Sequence, residues 1–113
     1  MQVTIEFSDP AAARFGFDRL TELIDRGDTR LLDLEFLHSI DGVASTIPAG
    51  RVDKHLARFD HASAGLLDRE ELDAVAANLP HGSTAAVLSY EGEPPVDAIE
   101  AWTAAGVRVV SGG

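Results

Sequence analysis

Two stretches of the chain share one outline. Ile5-Glu6-Phe7 leads through a helix pattern to Gly27 and a strand pattern, and Leu88-Ser89-Tyr90 leads through a second helix pattern to Gly106 and a last strand pattern. Strand, helix and strand in succession form one crossover unit, and such crossovers are right-handed. Two units with an antiparallel join give an α+β, ferredoxin-like sandwich with a four-stranded antiparallel sheet in the order 4-1-3-2. The expectation is therefore a single ferredoxin-like domain over 1–113, with a helical insertion at about 43–80 between the halves.

Local signals fill in the units. Val3 to Phe7 alternates apolar and polar residues, as a half-buried strand does. Asp9 can cap a helix and Pro10 suits its first position, where a missing N–H costs nothing. That helix is expected to run to Arg26 with Ala13, Phe17, Leu20 and Ile24 on one stripe, its early turns weakened by Gly16 and its end marked by Gly27. The second strand covers Arg30 to Ser39, with Leu32, Leu34 and Phe36 pointing one way and Leu31, Asp33, Glu35 and Leu37 the other.

Asp41-Gly42 marks a turn. Residues 43–64 give the weakest pattern and are expected to form a covering segment, with a short helix at Arg51 to Phe59 turning Val52, Leu56 and Phe59 inward. Asp68-Arg69-Glu70-Glu71 is a capping box, and Leu67 before the cap can pack on Leu72. Pro80 stops that helix, and Ser83 to Glu91 reads as a strand. The last helix is expected at Pro95 to Ala105 with Val96, Ile99 and Trp102 buried, and the last strand at Val107 to Ser111.

Composition narrows the function classes. The chain has no cysteine, which removes disulfides, thiolate metal sites and cysteine nucleophiles. With 19 acidic residues against 9 basic, its net charge of -10 disfavours nucleic acid and anionic membranes as partners. The beginning, MQVTIEFSD, is not a secretory leader, and no apolar run approaches the roughly 20 residues that span a bilayer. A soluble cytoplasmic protein is expected.

The segments IEF, LIDRG, LLDLEF, GLLDREELDAVAANL and GSTAAVLSYE are similar to those of a family of short, uncharacterised bacterial proteins, a domain-of-unknown-function family. A larger relative carries a Gly-rich, membrane-associated insert between the same βαβ pairs. The resemblance runs from Val3 to Val110, is weakest between Val43 and Ala62, and implies the paired-βαβ fold. It brings no reaction, substrate or catalytic residue. This chain has no Gly-rich middle, so the membrane association is not carried over.

Four groups of residues bear on function. His81-Gly82-Ser83 lies between a helix and a strand, not on a strand-to-helix nucleophile elbow, and reads as a turn. His38, His55, His61 and His81 are scattered; Asp53, His55, Asp60 and His61 fall together in the insert, but the two histidines lack the i, i+4 spacing of a helical zinc pair. A metal site assembled across the fold is the alternative to surface histidines. Trp102, Tyr90 and Phe17 read as core aromatics, with ligand stacking as the alternative. Glu6, Asp33 and Glu35 share the sheet face away from the apolar residues, bordered by Glu91 and Arg108, and crowded carboxylates can serve proton transfer or hard cations.

The leading functional expectation is a non-catalytic homodimer or protein-interaction module, with no catalytic residue, cofactor or metal. An open sheet face that shows Leu31 and Leu37 is a poor monomer surface, and a two-fold dimer is the common remedy. Thr4, Glu6, Leu31, Asp33, Glu35 and Leu37 are the residues expected on that interface. The alternative is a small-ligand or cation-binding protein, or an enzyme, using the carboxylates of the same face.

Overall fold

The computed structural model describes residues 1–112, with side chains to Val110. Its elements follow in the order β1 (Gln2–Phe7), α1 (Pro10–Asp25), β2 (Thr29–Ile40), β3 (Val43–Ile47), α2 (Ala49–Val52), a 3-10 helix (Lys54–Phe59), α3 (Arg69–Ala77), β4 (Thr84–Gly92), α4 (Val96–Ala104) and β5 (Arg108–Gly112). The sheet is antiparallel throughout, in the order β3-β2-β4-β1-β5. Each crossover skips one strand: β4 lies between β1 and β2, and β1 lies between β4 and β5.

The sheet has five strands where the sequence led us to expect four. The additional one is β3, which pairs with Phe36–Ile40 across a two-residue turn. Asp41 and Gly42 both take positive φ, 52° and 78°, the backbone of a type I′ turn, whose twist matches that of the flanking strands.

One sheet face carries the larger core. Val3, Ile5 and Phe7 of β1, Leu34 and Phe36 of β2, and Ala86, Leu88 and Tyr90 of β4 pack against α1, α4, Ala49, Leu56 and Phe59. The cap geometry of α1 agrees with its sequence: the Asp9 carboxylate accepts from the Ala11 N–H at 3.0 Å, and the Asp28 N–H closes the far end on Leu23 O at 3.0 Å. In α4, Trp102 is buried, but Val96 is 51% exposed because the buried stripe of the helix runs through Ala98 and Trp102, with Pro95 before it.

Gly16 has a packing role rather than a loosening one, and α1 is continuous through it. The Trp102 indole lies against its backbone, edge-on to Phe17 at 5.1 Å, and donates its N–H to Ala13 O at 3.0 Å. A Cβ at position 16 would sit 2.1 Å from Trp102 Nε1. The contact requires glycine, and the helix propensity that it costs is offset by burial of the largest side chain in the protein.

The opposite face holds a second, smaller core. Leu72, Ala76 and Leu79, with Leu67 before the helix, pack on Leu37, Ala44, Ala85 and Val87. The insertion is thus divided between the two faces, with α2 and the 3-10 helix on the α1 side and α3 on the other. Strand β4 serves both cores, Ala86 and Leu88 to one and Ala85 and Val87 to the other.

Gly16→Ala should lower the free energy of unfolding by about 2 kcal/mol or more through overpacking. Urea unfolding followed by far-ultraviolet circular dichroism measures it, and adding Trp102→Leu should recover part of the loss that Gly16→Ala causes alone.

Candidate functional site

The structure separates the six residues expected on one open face. A β-bulge between Leu31 and Asp33 changes the phase of β2. Leu31 is therefore paired with Tyr90 and packs on the larger core, on the α1 side. Leu37 is fully buried beneath α3. The flat acidic face expected from simple alternation does not exist on the β2 half of the sheet.

Asp33 is 0% exposed, and its burial is explained by its partners. Its Oδ1 accepts from the Ala64 N–H at 2.7 Å, and its Oδ2 accepts from the N–H groups of Leu66 and Leu67, both at 2.9 Å. Bonds of this charge-assisted kind each contribute about 1.5–3 kcal/mol. They hold the chain where it passes from Phe59 on one face to Leu67 on the other. This passage runs along the stretch of β2 that β3 leaves uncovered, where the Leu34 N–H donates to Ala62 O at 3.2 Å and the Ser63 hydroxyl donates to Glu35. A hollow of about 250 Å³ remains in this edge, lined in part by Glu35, Asp60 and Ser63.

Of the histidine and aspartate residues that fall together in the insert, Asp53 and His55 are pinned to α1. Arg14 binds Asp53 at 2.7 Å, and Asp53 also caps the 3-10 helix by accepting from the His55 N–H at 2.9 Å. Asp18 receives Arg58 at 2.7 Å and His55 Nε2 at 2.8 Å. The Arg14 hydrogen bond, aided by the His55 N–H, holds the Asp53 carboxyl below its ordinary range. At Asp18 partial desolvation acts to raise the carboxyl, but the bonds from Arg58 and His55 together outweigh it and the net direction is downward. Asp60 is used by the Gly50 N–H at 2.7 Å, and His61 is exposed.

Elsewhere, His38 Nε2 lies 3.0 Å from the Thr84 hydroxyl, and His81 is exposed in a turn closed by Ser83 N–H on Pro80 O at 3.1 Å. Glu91 pairs with Arg30 at 2.9 Å. Among the described residues, no three His, Asp or Glu side chains form a group that could hold a metal ion.

The other half of the second face is open. Because α3 lies over β3, β2 and β4, it leaves β1 and β5 uncovered, and a groove of about 550 Å³ runs between α3 and these two strands. Gln2, Thr4, Glu6, Arg108 and Val110 form its floor, and Glu71, Ala74 and Val75 of α3, with Asn78 at its C-cap, form its wall. Thr4 and Glu6 face it because β1 alternates, with Thr4 opposite Val110 and Glu6 opposite Arg108. Alternation in the sequence identified Thr4 and Glu6. The wall was missed because no local signal says which sheet face a capped helix will cover.

The chain matches no protein-family model, no curated protein and no solved structure.

Asp33→Ala should destabilise the protein by about 3 kcal/mol or more, since it leaves buried N–H groups without an acceptor. Amide exchange should accelerate at Ala64, Leu66 and Leu67, and unchanged exchange there would move the anchor of this segment elsewhere. Asp18 and Asp53 both have lowered folded-state values, so their contribution to stability is present above the ordinary Asp range, about 3.9, and is lost as pH falls through the folded values. Urea midpoints of wild type and Asp53→Asn should differ at neutral pH and converge below about pH 4.

Proposed function

We propose that the protein is a non-catalytic interaction module that pairs with a second copy of itself along β5. The same reading takes the fold as a ferredoxin-like sandwich, because β5-β1-β4-β2 corresponds to the 4-1-3-2 order once β3 is set aside as an added arm. The bacterial family of short proteins that the sequence resembles, and a cytoplasmic location, accord with it.

The observation that carries this reading is the difference between the two sheet edges. On the β2 side the short strand β3 covers one stretch, and residues 62–67 cover the next. On the β5 side no strand among the described residues pairs beyond it, and its Val110 is 40% exposed. An unprotected edge offers its backbone groups to another strand, and proteins that remain monomeric usually block such an edge with charge, proline or a bulge. Two copies joined edge to edge by a two-fold axis would meet the backbone demand of both. A second reading, ligand binding at the carboxylates of the sheet face, is favoured by the groove over Glu6.

Light scattering coupled to size-exclusion chromatography, run over a concentration series from micromolar upward, tests the dimer. Wild type should give twice the chain mass, and Val110→Lys should give the monomer, while Val96→Lys on the far side should remain dimeric. A wild-type monomer throughout the series removes this reading.

A further inference from the structure

The groove between α3 and the β1–β5 floor has the size of a small-molecule site, for which about 300–1,000 Å³ is typical. Its polar groups are unevenly satisfied. The Glu6 side chain is 10% exposed, yet its ion pair is a loose one, with Arg108 Nη1 at 3.5 Å and Arg108 itself largely in solvent. The arginine pairs of Asp53 and Asp18 are much closer, at 2.7 Å each. A nine-tenths buried carboxylate has lost much of its water, and a single distant guanidinium replaces little of it.

Thr4 gives an independent indication. It is 7% exposed and lines the same groove two residues along β1, and no described residue gives its hydroxyl a hydrogen bond. A second carboxylate, Glu71, stands on the α3 wall. Two carboxylates face one guanidinium, so the charged groups of the groove leave one negative charge in excess. Ala74, Val75 and Val110 supply an apolar surface beside them.

We propose that this groove binds a small primary amine with a short aliphatic body, its ammonium group on Glu6 and Thr4 and its carbon chain against Val75 and Val110. An ammonium group has N–H donors and no acceptor, which complements two carboxylates and a hydroxyl. The methylenes would cover the apolar wall that water now wets. The inference rests on the ligand-binding reading and not on the dimer: every wall residue comes from one chain, so a monomer that binds amine supports the site while removing the dimer.

The test is a titration of uniformly nitrogen-15-labelled protein with n-butylamine hydrochloride and, separately, 1,4-diaminobutane, followed by amide chemical shifts at constant ionic strength. Saturable shifts are expected at Thr4, Glu6, Ala74, Val75, Asn78 and Arg108. Glu6→Gln should weaken binding by about tenfold or more, the loss of a hydrogen bond to a charged acceptor. Thr4→Val provides a second variant that removes only the hydroxyl, and it should weaken binding by a smaller factor. Shifts that never saturate, that spread over the acidic surface, or that persist unchanged in both variants would overturn the proposal.

Discussion

The Asp33 carboxylate and the three N–H groups around it set the terms for the rest of the molecule. A charge with no exposure is costly unless its lone pairs are filled, and here they are filled entirely by backbone from a segment some thirty residues downstream. That segment gains a fixed course around the edge of β2. It delivers Leu67 and the capped start of α3 to the second face, where the smaller core then forms. Without this anchor the insertion would have two short pieces and no reason to divide between two faces.

The larger core depends on closeness of a different kind. Phe17 stands at its centre, touching Phe36, Phe59 and Trp102, with ring centroids 5.5, 5.4 and 5.1 Å away. It thereby joins β2, the 3-10 helix and α4 through one side chain. Gly16 next to it lets α1 and α4 approach, and the surface ion pairs of Asp18 and Asp53 fasten the 3-10 helix from outside. The Arg58–Asp18 pair is exposed on both sides and adds little, while the Asp53 side chain is largely buried and its bond to Arg14 works together with the apolar contacts of Leu56 and Phe59.

Much of this architecture was legible in the sequence because its signals are local. Asp9-Pro10, Asp68 with Glu71, and the punctuation at Gly27, Pro80 and Gly106 mark the helices to within a few residues. The hairpin at Asp41-Gly42 was legible too, but the turn was read without the strand after it, since Val43–Ile47 is short and mixed in character. What could not be read was phase and placement. Strict alternation puts Leu31, Asp33 and Leu37 on one face, and a single bulged residue at Leu32 sends Leu31 to the other. Asp33 looked like one of three surface acids because its partners are backbone groups, which leave no trace in residue identity. Glu6 and Thr4 were assigned to the right face, but the groove needs α3 above them, and that position is a tertiary outcome.

The passage of residues 59–67 around β2 also imposes an order in time. The segment can take hold only of an edge that already exists, so β2 must be seated against β4 first, a pairing that spans about half the chain. Contacts so distant in sequence form slowly, because loop entropy is lost before they reward it. Helix α3 carries its own cap and can coil early, yet it has no surface to rest on until that sheet is built. Its docking therefore follows that pairing, and the groove it walls cannot exist before the sheet does.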